Sequence, residues 1–135
     1  GDAMRYRCLM TACDVAALAF RQGAGEFILR TGNDLILENF NRREALLYRL
    51  RDGNYDIVLV ALPGALGMET VLGGREMDRG VPLIWASDDE VFSLEGYRLR
   101  VDMFLRLPAT PHQYSDALIR CLGPPSDRRN PLIWK

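Results

Sequence analysis

Side chains able to do covalent or acid–base chemistry are sparse in this 135-residue chain, and the absences are informative. The single histidine is His112, directly after Thr110-Pro111, and the single lysine is Lys135, the last residue; the other sixteen basic residues are arginines. A Schiff-base lysine or a phosphate-loop lysine therefore has no place inside the folded part. A histidine-based triad would have to use His112, which reads first as an exposed residue in the first turn of a helix. Cys8, Cys13 and Cys121 make an odd count without CxxC or Cys/His spacing, so they outline neither a disulfide framework nor a zinc site. They read as small apolar residues in a reducing cytoplasm. The glycines at 64, 67, 73 and 74 match no phosphate-cradling fingerprint. What remains are oxygen-bearing side chains near candidate strand ends. Asp14, three residues past Thr11, is either a displaced metal ligand or a first-turn helix acid, and Asp88 and Asp89 carry the same two readings. Ser87 is either a helix cap or a hydroxyl donor facing a site.

The elements that must position these groups follow from the hydrophobic pattern. Ile57-Val58-Leu59-Val60-Ala61, led in by Tyr55-Asp56 and closed by Pro63-Gly64, reads as a strand buried on both faces of a parallel sheet. Working residues of such sheets sit past the carboxyl ends of the strands, and here that end offers only the methyl group of Ala61. Further strands are expected at Arg5 to Met10, Leu35 to Asn39, Val81 to Ala86 and Val101 to Leu105. A first helix is expected over about residues 14 to 31, with a possible break near Gly23 and a stop at Gly32. Asn41-Arg42-Arg43-Glu44 is expected to form a capping box for a short second helix, and Ser87-Asp88-Asp89-Glu90 another for a fourth helix running through Phe92, Leu94 and Tyr97. The third helix, from about Met68 to Met77, contains Gly73 and Gly74 and is expected to be short, frayed or displaced. Thr110-Pro111 caps the last helix, whose buried stripe is Tyr114, Ala117, Leu118 and Cys121-Leu122. Trp85 reads as core. Five strands alternating with five helices make a doubly wound α/β sheet with helices on both faces.

Composition fits one domain, expected over residues 1–123, with 124–135 as a Pro-rich linker or a tail that packs back. A net charge of −1 implies no general electrostatic grip on nucleic acid. No apolar run is long enough to cross a bilayer, and the start lacks a signal-peptide pattern, so a cytoplasmic location is expected.

The order of these pieces resembles the receiver domain of two-component response regulators, which has a flavodoxin-like, CheY-like five-stranded fold. The residues that carry the likeness are Asp56-Ile57-Val58-Leu59-Val60, Val81-Pro82-Leu83-Ile84-Trp85-Ala86-Ser87 and Phe104-Leu105-Arg106-Leu107-Pro108-Ala109-Thr110-Pro111. Asn41-Arg42-Arg43-Glu44-Ala45 adds the turn into the second helix. The family transfers phosphoryl groups to an aspartate beside a magnesium ion, in two-component phosphorelay signalling that regulates transcription. The resemblance places the nucleophile position on Ala61, the acidic metal-binding pair on Met10 and Thr11, the lysine position on Leu107 and the hydroxyl position on Ser87. It places the switch aromatic on Phe104 and the proline after the lysine, typically cis, on Pro108. Nucleophile, metal ligands and cation are thus replaced by uncharged groups. The implied protein is a pseudo-receiver: no enzyme, with no metal and no cofactor, working through a protein partner or a homodimer. The face suggested for dimers carries Arg98, Arg100, Arg106 and Arg120. An output domain beyond residue 135 is expected, DNA-binding if the weaker likeness to LytTR-type regulators holds, with no nucleic-acid binding by this domain itself. The alternative is a small-ligand-binding domain that uses the crevice at the strand ends.

Overall fold

In the computed structural model, which describes residues 2–123, the chain alternates strictly between strand and helix. The elements are β1 (Arg5–Ala12), α1 (Asp14–Thr31), β2 (Asp34–Asn39), α2 (Arg43–Leu50), β3 (Ile57–Ala61), α3 (Gly64–Met77), β4 (Leu83–Ser87), α4 (Phe92–Arg98), β5 (Met103–Arg106) and α5 (Pro111–Leu122). The five strands form one parallel sheet in the order β2-β1-β3-β4-β5. Every residue of β3 and β4 is buried, which is why both read as unbroken apolar runs. The expected linker or tail, residues 124–135, lies outside the described residues.

Two cores flank the sheet. Alternate strand residues Cys8, Met10, Ile57, Leu59, Ile84 and Ala86 face α1 and α5, where Phe20, Phe27, Tyr114 and Leu118 are fully buried. Leu9, Val58, Val60, Leu83 and Trp85 face the other helices, against Leu46, Leu50 and Val71. Burying each such side chain contributes about 1.5–3 kcal/mol.

Three local expectations are corrected. Helix α1 does not break at Gly23: it runs unbroken, and Gly23 is buried where α5 crosses, with a Cβ there meeting Pro111 O at 2.6 Å and Tyr114 Cβ at 2.8 Å. Helix α3 is neither short nor frayed: its fourteen residues begin at Gly64. Neither of the capping boxes expected at Asn41 and at Ser87 forms, because each helix begins later than its box requires, with Arg42 and Val91 in the N-cap positions. Asn41 Oδ1 accepts from Asn39 Nδ2 at 3.4 Å, and Ser87 Oγ accepts from Asp89 N at 3.3 Å. Their helices start at Arg43 and Phe92 without a side-chain cap. The box at Thr110 is complete: its hydroxyl accepts from Gln113 N, and the Gln113 side chain accepts from Thr110 N. The last two strands also start two residues later than the pattern suggests.

Candidate functional site

The carboxyl ends of β1, β3, β4 and β5 meet at one edge of the sheet, beside the point where the strand order reverses. At that edge Ala12 stands opposite Ala61, and the Cys13 amide donates to the Ala61 carbonyl at 3.0 Å. The rim of β1 is therefore Ala12 and Cys13. Met10 and Thr11, expected there, lie inside the strand opposite Leu59 and Val60, and both are buried. The correction has a simple cause. Thr11 and Ala12 continue the ladder, so β1 runs two residues further than its apolar pattern does. A signal was present: with α1 opening at Asp14, only Cys13 is left to join it to the strand.

The remaining site residues fall at the strand ends. Ala61 closes β3 with its methyl fully buried, and Ser87 closes β4, also fully buried. Leu107 follows β5, donating its amide to Ser87 O at 2.8 Å. The Leu107–Pro108 peptide bond is cis, as the resemblance implies for that proline.

Two of the three acids near this edge, Asp88 and Asp89, are already engaged. Asp88 Oδ1 accepts from the Gly64 amide at 2.9 Å, so the carboxylate ties the loop after β4 to the first residue of α3. Its charge suits that helix N-terminus. Asp89 Oδ1 accepts from Val91 N at 2.9 Å, inside its own turn. Asp14 is an exposed first-turn acid of α1. Among the described residues no group of three or more His, Cys, Asp and Glu is placed to hold a metal ion. What the edge does offer is a cleft of about 280 Å³ between the start of α1 and the loops after β3, β4 and β5. Cys13, Val15, Ala16, Pro63, Leu107, Pro108 and Ala109 line it, and Asp88 supplies its one charge. Sequence reasoning missed Cys13 here, for the same reason that it misplaced the rim.

Behind β4 and β5 lies an aromatic stack. Trp85, fully buried, stacks on Phe92 with ring centroids 5.6 Å apart, and Phe104 meets its edge at 5.3 Å and 84°. Phe104 is half-buried on the α4 side of the sheet. Gly96 lets α4 sit close: a Cβ there would lie 3.5 Å from both Phe104 and Trp85 and 3.0 Å from Val101.

The four arginines do not gather into one patch. Arg98 and Arg100 sit where α4 ends and the chain turns toward β5. Arg106 lies at the opposite end of β5 and pairs with Glu90. Arg120 is in the last turn of α5. His112 is exposed at the start of α5, with Nδ1 2.5 Å from Glu26 Oε1 on α1. Burial pushes the Cys8 thiol far up, which makes it inert as a nucleophile. No described helix is long and apolar enough to cross a membrane.

The chain matches no family model and no curated protein sequence. Its fold is that of receiver domains. It is similar to the non-phosphorylated HemR receiver domain from Leptospira biflexa at 16% identity and a TM-score of 0.67, over 86% of this chain and 93% of that one. It is similar to an orphan response regulator of Helicobacter pylori at 13% identity and a TM-score of 0.66, over 86% of this chain and 96% of that one. A third likeness is to the response regulator TrrA of Thermotoga maritima, solved in complex with Mg²⁺ and BeF, at 15% identity and a TM-score of 0.64, over 87% of this chain and 99% of that one.

Proposed function

We propose that this chain is a pseudo-receiver: a regulatory module of signal transduction that works by protein contact and is not charged by aspartyl phosphorylation. The observation that carries the reading is Ala61. It closes the central strand, opposite Ala12, where a phosphoryl acceptor of this fold would need a carboxylate. Phosphoryl transfer needs a nucleophilic oxygen, oxygen ligands for Mg²⁺ and cations around the moving charge. The rim supplies methyl groups at Ala12 and Ala61, a thiol at Cys13 and an alkyl chain at Leu107. One nearby acid, Asp88, is held by an amide of α3, and another, Asp14, is an exposed first-turn acid of α1. The same deficit argues against an enzyme of any acid–base kind. Outputs beyond residue 135, a DNA-binding domain among them, and a cytoplasmic setting belong to this reading through the resemblance alone.

Incubation with acetyl phosphate and Mg²⁺, read by intact mass, tests it. The mass should stay unchanged. An acid-stable, base-labile phosphate adduct would defeat the reading.

The cleft at the strand ends favours a second reading, binding of a small neutral ligand, because its walls are nearly all apolar. A thermal-shift screen of neutral metabolites reads this directly. A rise in midpoint that disappears in Leu107→Asp supports it, and a screen without any such rise removes it.

A further inference from the structure

The ends of α3 and α4 hold a basic groove that the strand-end site does not use. It has a volume of about 320 Å³ and brings together Arg75, Arg79, Arg98 and Arg100, with Glu76 as the only acid lining it. Acids offset part of this charge, since Asp102 and Asp78 act on Arg75 and Glu95 pairs with Arg98, so the uncompensated charge of the groove lies on Arg79 and Arg100. The four differ in what they already do. Arg75 is nearly buried and is spent on backbone carbonyls: Nε donates to Leu99 O at 2.7 Å, one terminal nitrogen to Val81 O at 2.7 Å, and the other to Arg100 O at 2.8 Å. Asp102 lies 4.0 Å from a terminal nitrogen and Asp78 acts on the same guanidinium, so Arg75 is a structural tie and offers little to a ligand. Arg98 meets only Glu95 on its own helix, at 3.3 Å and exposed. Arg79 and Arg100 form no ion pair among the described residues, and both are exposed. Arg100 also holds a left-handed backbone, φ 56°, at a helix end where glycine is the usual occupant.

Beside these charges lies exposed apolar surface. Leu72 on α3 lines the groove, and Leu94 stands one turn before Arg98 on α4, with Tyr97 next to it. Leu94 is 68% exposed and Tyr97 85% exposed. Apolar anchors interleaved with unpaired arginines are what a peptide rich in carboxylates, with a few large apolar residues, would complement. A single small anion fits less well. The one inward guanidinium is consumed by carbonyls, and the other three are long, exposed and separate.

We infer that the groove between the ends of α3 and α4 docks an acidic, amphipathic segment of a partner protein, with carboxylates on Arg79, Arg98 and Arg100 and apolar residues against Leu72 and Leu94. The inference adds a class of partner to the proposed interaction module and rests on that reading. The mass experiment reads phosphate and this one reads binding, so either can fail alone.

The test is a titration of the ¹⁵N-labelled chain with a synthetic peptide of alternating Glu and Leu pairs, followed by amide shifts and by fluorescence anisotropy. Shifts should concentrate in residues 72–79 and 94–100, and affinity should fall at least about tenfold between low and physiological salt. The paired substitution Arg79→Glu and Arg100→Glu should weaken binding at least about tenfold, with circular dichroism and thermal midpoint showing an intact fold. A Glu/Ser peptide should bind more weakly than the Glu/Leu peptide. Shifts centred elsewhere, no saturable binding, equal binding by the charge-reversed chain, or tighter binding of an oligonucleotide than of the peptide would each overturn the inference.

Discussion

A methyl group at Gly23 would be driven into the backbone of α5, whereas a methyl group at Gly25, two residues along the same helix, would meet nothing within 4 Å. Helix propensity treats the two positions alike and favours alanine at both by about 1 kcal/mol. Packing separates them. Gly23→Ala should destabilise the protein by about 1–3 kcal/mol, since Pro111 O and Tyr114 Cβ cannot both retreat without moving α5. Gly25→Ala should stabilise it by about 0.5–1 kcal/mol, because that position is exposed, helical and unobstructed. Urea unfolding of the two variants checks the pair, and equal shifts of the same sign would show that α1 and α5 do not pack this closely. The same scale shows what the sequence could and could not disclose at the candidate site. Ala61, Ser87 and Leu107 were legible because each ends an apolar run whose length the strand dictates. The partners of Ala61 on β1 were not, because Thr11 and Ala12 extend the ladder without adding a hydrophobic signal.

At the scale of elements, glycine was the residue hardest to read. Gly73 and Gly74 mark a poor helix by local propensity, yet α3 is complete because they serve its contacts. Gly73 faces Leu47 of α2, where a Cβ would lie 2.9 Å from a Leu47 methyl, and Gly74 is buried beside Leu50 and Leu83. The alternation of five strands with five helices and the two-faced sheet were legible, since apolar runs and helix-period stripes alternate along the chain. Which of three capping sequences closes was not, because that depends on where each helix begins, and only Thr110 stands at the N-cap position of its helix. The tie between α3 and α4 was also hidden: Arg75 looks like a surface charge in a helix, but its guanidinium holds the carbonyls of Leu99, Arg100 and Val81. Hydrogen bonds to a charged donor contribute about 1.5–3 kcal/mol, and part of that returns as solvation when the carbonyls open to water. Arg75→Met should therefore cost about 2–4 kcal/mol. Arg75→Lys should recover less than half of it, since an ammonium cannot span the same fan of acceptors. Urea unfolding gives the magnitudes, and faster amide exchange confined to residues 97–101 would locate the effect.

For the molecule as a whole, pH reports how the two faces of the sheet are held. On one face Glu38 of β2 accepts from Arg49 of α2 at 3.1 Å and from Arg7 of β1 at 2.6 Å, so one carboxylate joins three elements at the sheet's edge. Its hydrogen bonds to Arg49 and then to Arg7 hold its pKa below the ordinary range. A depressed folded pKa means that this contribution is complete above the unfolded value, about 4.3, and is lost as pH falls through the folded one. Glu38 remains partly exposed, so its share is modest. On the other face, Tyr114 is fully buried between α5 and α1, its ring edge-on to Phe20 at 5.4 Å, and its hydroxyl has no partner among the described residues. Burial, and then the nearby Cys13, push it up to about 12. A raised folded pKa reverses the sign: this contribution is complete below the unfolded value, about 10, and is lost as pH climbs toward 12. The stability profile should accordingly fall at both ends, through different faces. Glu38→Gln should reduce the acid limb, to which Asp78 also contributes, and leave the alkaline limb unchanged. Tyr114→Phe should reduce the alkaline limb only, the rest of which belongs to Tyr55 and Cys8, and it should raise stability at neutral pH by up to about 1 kcal/mol, because it removes a buried hydroxyl without an acceptor among the described residues. Urea midpoints of the three proteins measured from acid to alkaline pH decide it. If Tyr114→Phe instead destabilises at neutral pH, the hydroxyl has a partner, and the interior beside Cys13 is wetter than its apolar walls suggest.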